Sequence, residues 1–264
     1  MTASSEGPPQ VEVLSQASLA PFSQEWYEIS SADHFWFEWR FRAARRQLAD
    51  LRLSPERPAR VLDIGSGNGI LRGQLETATA WTVDCAELNR EALLRCGKGR
   101  GRLLAYDILE QREELRAAYD VVLLFDVIEH LAEVRPFLKA SLAHLKPGGH
   151  LLINVPALQS CYSDYDRAVG HFRRYDKRSL ASELSGLPLE IRDRRYWGLL
   201  MLPLLAARRF PGLPRSGADV VRRGMAPPSE AFNRILKLVA RGETAVCRRP
   251  WLGTSLLLAA ARRD

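Results

Sequence analysis

The stretch VLDIGSGNG at residues 61–69 constrains the fold of this chain more than any other feature. Its opening residues suit a buried strand, because strands of a parallel sheet that is covered on both faces are almost continuously apolar. The glycines that follow, Gly65, Gly67 and Gly69, allow a sharp turn and a close approach of the backbone to a ligand. Their spacing differs from the dinucleotide fingerprint G-x-G-x-x-G, and Asp63 suits a ligand that carries an ammonium group better than one that carries phosphates. The pattern predicts a ligand-binding loop at the end of a strand.

Three further apolar segments also end on an acidic residue. AWTVD ends at Asp84, LLAYD at Asp107 and YDVVLLFD at Asp126, and the chain between them is long enough for one helix each time. This alternation predicts βαβ units and a parallel sheet. Ligands of such sheets bind outside the carboxyl ends of the strands, so we expect these acids to gather there with Asp63.

In these motifs the chain resembles the class I S-adenosylmethionine-dependent methyltransferases. VLDIGSGNG is similar to their first motif, VDCAEL to their ribose-binding motif, YDIL to their adenine-side motif and FDVIEHL to their fourth-strand motif. LKPGGHLLINVP resembles the helix-turn-strand that follows, so the resemblance covers residues 34–196 in order. HFWFEWR, GHFRRYD and the closing LGTSLLLAAA are also similar to a bacterial subgroup that is often associated with glycan, cell-surface or secondary-metabolite pathways.

The resemblance implies an α/β fold with a Rossmann-like, doubly wound sheet of seven strands, mostly parallel with an antiparallel last strand, plus a helical cap insertion. We expect an N-terminal extension, partly disordered, over 1–32, a cofactor-binding core over 33–196, a cap or acceptor insertion over 197–249 and a closing strand of the core over 250–264. The expected helices lie near 33–53 (with Asp33 as N-cap), 70–77, 87–96, 110–117 and 133–145. The expected strands lie near 59–64, 80–84, 102–106, 119–125, 149–154, 188–196 and 251–261.

The resemblance also implies S-adenosylmethionine as the cofactor and S-adenosylhomocysteine as the product. Asp63 would orient the methionyl ammonium, and Asp84 would accept hydrogen bonds from the ribose hydroxyls. Asp107 and Ile108 would contact the adenine. Arg40 would bind the cofactor carboxylate with its guanidinium, or else belong to a buried helix face. The other expected cofactor-binding residues are Gly65, Ser66, Gly67, Gly69, Cys85, Phe125 and Asp126.

Two histidines are candidate catalytic residues. A hydroxyl acceptor has to lose its proton, and histidine is the commonest base because it titrates near neutrality. His130 follows the fourth expected strand and His171 lies on the loop after the fifth, so either is a candidate base, and a structural role is the alternative for each. Asp126-x-x-Glu129-His130 also has the spacing of hard metal ligands. It resembles the E-x-x-E-H metal site of some quinone-pathway and small-RNA methyltransferases, with Asp in place of the first Glu, and we predict no metal there.

The net charge of +7 is unevenly distributed along the chain. Residues 192–264 contain 15 Lys and Arg but 5 Asp and Glu, a net charge of +10, and the remainder carries −3. This asymmetry indicates an anionic partner, or else an arginine-rich solvated surface. Segment 197–249 is expected to cap the acceptor site, with peripheral contact to a membrane as the alternative. Arg173 and Arg174 would bind an anionic acceptor or tie their loop to the cap.

The sequence therefore predicts a cytoplasmic enzyme that methylates a small molecule, preferably on an oxygen of a natural-product or glycan intermediate, with an anionic or lipid-linked acceptor among the options. The start of the chain lacks the features of a signal peptide, no apolar run approaches about 20 residues, and the four cysteines have no C-x-x-C spacing. One alternative is an RNA methyltransferase, which is not favoured because the aromatic–basic signatures of RNA-binding modules are missing. Another is a non-catalytic partner protein that binds the cofactor. The oligomeric state stays open.

Overall fold

One eight-stranded sheet forms the centre of the protein, and the computed structural model describes it within residues 9–16, 30–207 and 228–263. The strands are β1 (Val11–Val13), β2 (Arg60–Ile64), β3 (Thr82–Glu87), β4 (Leu103–Ala105), β5 (Tyr119–Phe125), β6 (Leu145–Pro156), β7 (Leu189–Trp197) and β8 (Ser255–Arg262). The helices are α1 (Phe35–Asp50), α2 (Ile70–Ala78), α3 (Arg90–Leu94), α4 (Val134–His144), α5 (Asp164–Ala168), α6 (Lys177–Glu183), α7 (Leu202–Ala207) and α8 (Glu230–Val246).

The strand order confirms the predicted doubly wound sheet. It runs β1-β4-β3-β2-β5-β6-β8-β7, in which every pair from β1 to β6 is parallel and β8 is antiparallel to both of its neighbours. Seven of these strands were expected, and β1 is an eighth that pairs with β4 at the edge of the sheet. The chain leaves β2 on one side and β5 on the other, so the switch point where such sheets bind ligands lies between these two strands.

The apolar strands are explained by two cores, one on each face of the sheet. In β2, Leu62 and Ile64 pack into one hydrophobic core, and Val61 packs into the other. Alternate side chains of a strand point to opposite faces, so a strand covered on both faces needs apolar residues at nearly every position. Asp63 interrupts this pattern at a buried position near the carboxyl end of β2.

Several element boundaries differ from those expected. β3 runs to Glu87, whereas the sequence pattern ended it at Asp84. Asp84 is therefore a buried acid in the middle of the strand, and the helix that follows shortens to Arg90–Leu94. The expected helix over 110–117 is replaced by two 3-10 turns, Ile108–Glu110 and Glu113–Leu115.

The insertion between β7 and β8 packs α8 along α1. Asn233 accepts a hydrogen bond from the backbone N–H of Phe35, and Lys237 forms an ion pair with Asp33. Asp33 is thus not the N-cap of α1; His34 is, and its ring nitrogen accepts from the backbone N–H of Trp36. In this way α8 fixes the start of α1 beside the switch point.

Parts of the chain lie outside the described residues. They include 1–8 and 17–29, on which most of the expected disorder falls, and 208–227, which holds the Pro/Gly-rich link. The boundaries of the extension, core and insertion therefore stay a prediction. Within the described ranges, no helix has both the length and the apolarity needed to cross a bilayer.

Alanine substitutions at two glycines should change the free energy of unfolding in opposite directions. A Cβ at Gly101 would lie 1.9 Å from the carbonyl oxygen of Val83 in β3, so Gly101→Ala forces the backbone apart. We expect it to lower the free energy of unfolding by about 1–3 kcal/mol. Gly73 lies inside α2 with no atom within 4 Å of such a Cβ, so Gly73→Ala should raise that free energy by about 0.5–1 kcal/mol. Urea denaturation measures both, and equal stability of the two variants would contradict this packing.

Candidate active site

A cavity of about 580 Å³ opens at the carboxyl ends of β2 to β5. Its wall contains eleven of the predicted site residues: Arg40, Asp63, Gly65, Ser66, Gly67, Asp107, Ile108, Phe125, Asp126, His130 and His171. Gly69, Asp84 and Cys85 are not part of it. The topology therefore brings together most of the side chains that the motifs singled out.

The glycine loop after β2 approaches the cavity closely. Gly65 and Gly67 have φ angles of +70° and +56°, in the left-handed region that favours glycine. A Cβ at Gly65 would also lie 2.6 Å from a methyl group of Val127. Gly69 is the N-cap of α2, and a Cβ added at this position would meet Cys96 and not the cavity. Gly69 therefore shapes the loop without lining the site.

Asp63 brings a buried carboxylate to the cavity wall. Its Oδ2 atom has no hydrogen-bond partner among the described residues. Burial raises the pKa of Asp63 to about 7, although the nearby Arg40 guanidinium opposes the shift. A buried acceptor without a donor is costly, so this oxygen is suited to a ligand that donates a hydrogen bond or carries positive charge.

Arg40 and Asp126 form a partly buried ion pair beside Asp63. Arg40 Nη1 lies 2.6 Å from Asp126 Oδ2, and the amide of Asn154 donates to Asp126 Oδ1 at 2.7 Å. The guanidinium also lies 5.0 Å from the ring centre of Trp36, a cation–π contact. Arg40 Nε has no partner among the described residues, so Arg40 retains one donor for a ligand. The pair joins α1 to the end of β5.

Glu87, rather than Asp84, is the acidic residue at the end of β3 that lines the cavity. Its two carboxylate oxygens accept from the backbone N–H groups of Gly67 and Asn89, each at 2.9 Å. Burial raises the pKa of Glu87. The sequence pattern does not predict Glu87, although it lies within the VDCAEL motif, because the apolar run ends at Asp84 and indicates a strand end there.

Asp84 has a structural environment instead. Arg102 donates two hydrogen bonds from its guanidinium to Asp84 Oδ2, and the Tyr119 hydroxyl donates to the same oxygen at 2.9 Å. Cys85 is also buried away from the cavity, in a small apolar cluster with Leu93 and Leu103. The assignment of Asp84 and Cys85 to the cofactor is therefore corrected: side chains in the middle of β3 cannot reach the end of the sheet.

Asp107 and Ile108 meet the cavity at the end of β4 as expected. Asp107 Oδ1 accepts from the backbone N–H of Leu109 and so begins the 3-10 turn that presents Ile108. The backbone N–H of Asp107 donates to the hydroxyl of Ser15, which follows β1. The extra edge strand thus contributes to the position of this loop.

Asp166 orients His171 at the other end of the cavity. His171 Nδ1 lies 2.9 Å from Asp166 Oδ1, and Arg174 Nε donates to the same oxygen at 2.8 Å. Burial raises the pKa of Asp166, but the hydrogen bonds from His171 and Arg174 outweigh it and hold the pKa at about 2. An ionised carboxylate only accepts, so a proton of His171 lies on Nδ1, and Nε2 is the ring nitrogen that can accept a proton.

His130 and Glu129 complete this end of the cavity. The rings of His130 and His171 have centres 4.6 Å apart, and Glu129 Oε1 lies 4.0 Å from His171 Nε2. Burial and the neighbouring His171 lower the pKa of His130 to about 3. Glu129 is fully buried with both oxygens unpartnered among the described residues, and burial raises its pKa well above the usual range.

A divalent ion could be held at this end, but by a different set than the sequence spacing suggested. Glu129, His130 and His171 each offer a ligand atom, and these atoms lie within 4.8 Å of one another. Asp126 is outside this group, since Arg40 and Asn154 occupy its oxygens. Two imidazoles and a carboxylate suit a transition metal, and they suit proton transfer equally well.

Like Glu87, Asp166 is a site residue that the sequence pattern does not predict. The only local signal was the capping box Ser163-x-x-Asp166 at the start of α5, which indicates a helix and not a site. Both arginines of the same loop are also explained. Arg174 pairs with Asp166, and Arg173 donates to the backbone carbonyls of Leu131 and Ala132.

Comparison with known proteins gives the family. A family model described as a methyltransferase domain matches residues 36–193. The ubiquinone biosynthesis O-methyltransferase of Rickettsia canadensis is 31% identical over 98 residues, which are 36% of this chain and 41% of that protein. The protein of the same name from Ruegeria pomeroyi is 36% identical over 114 residues, which are 39% and 46%. The chain therefore spans less than half the length of these relatives.

A solved structure supports the fold. The 1,6-didemethyltoxoflavin-N1-methyltransferase of Burkholderia thailandensis, with bound 1,6-didemethyltoxoflavin and S-adenosylhomocysteine, superimposes with a TM-score of 0.53 and 19% identity. The match covers 91% of this chain and 82% of that chain. At this identity the likeness concerns the fold alone, and function has to be argued from the site.

Because Glu87 and not Asp84 lines the cavity, substitutions at these two residues should have different effects. Glu87→Gln should weaken binding of S-adenosylmethionine by about 10–100-fold, since a hydrogen bond to a charged acceptor contributes about 1.5–3 kcal/mol. Asp84→Asn should instead lower the free energy of unfolding by about 1–3 kcal/mol and leave the affinity within about twofold. Isothermal titration and urea denaturation of both variants measure this. Loss of affinity in Asp84→Asn alone would restore the original assignment.

Proposed function

Because this chain belongs to the family of methyltransferase domains, we propose that it transfers a methyl group from S-adenosylmethionine to an oxygen atom of a small molecule. The acceptor is an intermediate of natural-product or glycan biosynthesis, and His171 is the general base. The single observation that carries the proposal is the Asp166–His171 pair, which opens on the same cavity as Asp63 and Glu87.

The residues of the glycine loop and strand ends fit the cofactor. The unpartnered oxygen of Asp63 is suited to the methionyl ammonium, and the free Nε–H of Arg40 to its carboxylate. Glu87 at the end of β3 is suited to the ribose hydroxyls, and Asp107 with Ile108 to the adenine. When bound, the cofactor supplies a methyl group on a sulfonium, and S-adenosylhomocysteine is the product.

The opposite end of the cavity is suited to an apolar acceptor. Its wall consists mostly of aliphatic and aromatic side chains: Leu131, Phe137, Val169, Met201, Leu204, Leu205, Phe232 and Leu236. Arg174 is bound to Asp166 and Arg173 to backbone carbonyls, so this loop offers no guanidinium to an anionic group. Of the two expected options, these contacts favour a lipid-linked or otherwise apolar acceptor over an anionic one.

His171 is a better base than His130. Asp166 fixes the His171 tautomer, leaves Nε2 as the proton acceptor and would stabilise the imidazolium that forms. His130 has a pKa of about 3, which makes it a weak proton acceptor. A positioned base contributes about 10²–10⁴-fold to the rate, and alignment of the reacting groups can contribute about 7–11 kcal/mol.

A base is needed for a hydroxyl acceptor, and this supports oxygen as the methylated atom. A neutral amine can attack with its own lone pair before it loses a proton, whereas an alcohol or phenol is a weak nucleophile until it does. The names of the relatives, which are O-methyltransferases, also support oxygen. The proposal includes a cytoplasmic location, in keeping with four free cysteines.

The general-base role leads to a kinetic prediction. His171→Asn should lower kcat by about 10²–10⁴-fold and leave the affinity for S-adenosylmethionine unchanged. Asp166→Asn should lower kcat by about 10–100-fold, since it removes the partner that orients the ring. The measurement is release of S-adenosylhomocysteine with a panel of phenols, sugars and aliphatic alcohols, after isothermal titration of the cofactor. His150→Asn, a histidine on β6 outside the cavity, is the matched control and should behave as wild type.

Two results would contradict the general-base role of His171. One is loss of turnover on dialysis against EDTA with recovery on addition of Zn²⁺ or Mg²⁺, which would assign His171 to a metal. The other is full activity of His171→Asn towards the same hydroxyl acceptor. Failure of the wild-type protein to bind S-adenosylmethionine would overturn the whole assignment.

A further inference from the structure

An exposed apolar surface surrounds one side of the cavity mouth. It consists of five residues, each between 44% and 64% exposed, which we call the apolar rim: Leu200, Leu204, Phe232, Ile235 and Leu238. Leu204 and Phe232 also line the cavity, so the rim is continuous with its inner wall. An apolar patch of this kind at the entrance of a site marks an interaction surface.

The packing of the described chain does not account for this surface. The buried side of α8 is a different one, formed by Asn233, Leu236, Ala240 and Glu243. Phe232, Ile235 and Leu238 follow one another at intervals of three residues and share another side of the helix. The described residues therefore cover one side of α8 and leave this apolar side exposed.

The part of the sequence that carries the rim is positively charged. On α8, Arg234 and Arg241 are more than half exposed and form surface ion pairs with Glu230 and Glu38, and Trp251, three residues before the cavity residue Thr254, is exposed as well. Residues 192–264 together carry a net charge of +10. A helix that combines apolar residues with flanking arginines is typical of a segment that lies in the interface of a membrane with anionic lipids.

We infer that the apolar rim docks on the surface of an anionic lipid bilayer, so that the cavity opens towards the membrane. The part of this inference that concerns acceptor delivery rests on the proposed function: an amphiphilic acceptor would pass from the bilayer along Leu204 and Phe232 to the apolar wall. Contact is peripheral, since no described helix can span a bilayer.

The test is co-sedimentation of the full chain with vesicles of phosphatidylcholine at about neutral pH. One set of vesicles also contains about 30% phosphatidylglycerol as the anionic lipid. We expect binding to the anionic vesicles to be at least about tenfold stronger, and to fall about tenfold at high salt, because surface attraction is screened. Ile235→Glu with Leu238→Glu should reduce binding about tenfold or more. These two residues belong to the rim but do not line the cavity.

Leu94→Glu is the matched control, since Leu94 is an exposed leucine at the end of α3, outside the rim. It should bind vesicles as wild type does. Equal binding of the rim variant and the control would overturn the inference, and so would equal binding to both kinds of vesicle. A dimer that forms in solution and is lost in the rim variant would assign the rim to a second copy instead.

Isothermal titration with S-adenosylmethionine separates this inference from the proposed function. The rim variant should bind the cofactor as wild type does, which also shows that it is folded. If wild type binds the cofactor but not the vesicles, only the docking surface is overturned. If wild type binds the vesicles but not the cofactor, only the proposed function is overturned.

Discussion

The site depends on a shortage of positive charge around buried carboxylates. Burial raises the pKa values of Asp63, Glu87, Asp126 and Glu129, which means that each is costly to ionise there. Among the described residues that line the cavity, the guanidinium groups are those of Arg40 and Arg174, and Arg174 is already paired with Asp166. A ligand with positive charge would relieve this cost, which is the physical basis for an ammonium and a sulfonium in this cavity.

The two ends of the cavity divide the chemistry. The carboxyl ends of β2, β3 and β4 supply acids and close backbone contacts, which are suited to a polar cofactor. The loop after β6 supplies the Asp166–His171 pair, and the insertion before β8 supplies much of the apolar wall. Together they are suited to the apolar hydroxyl acceptor that we propose. Arg40 on α1 and Asp126 at the end of β5 also line the cavity, and their ion pair joins these two elements.

Much of the fold and most of the predicted residues that line the cavity follow from the sequence, because their signals are local. The run VLDIGSGNG encodes strand, turn and helix start within nine residues, and the repeated strand-then-acid pattern indicates the sheet. The sequence predicts a strand end at Asp84, whereas Asp84 lies in the middle of β3, because a buried acid inside a strand looks the same in a sequence as an acid at its end. Its burial is possible only because Arg102 and Tyr119 bind it.

The sequence by itself determined the order of strands and helices, the glycine loop, and the set of acids and histidines available for chemistry. Only the tertiary structure decided which of them meet: Glu87 with Gly67, Asp166 with His171, and α8 with the start of α1, about 200 residues away. The reason is physical. Local propensity and periodicity act over a few residues, whereas a carboxylate's partner and burial depend on contacts between segments that are distant in the chain.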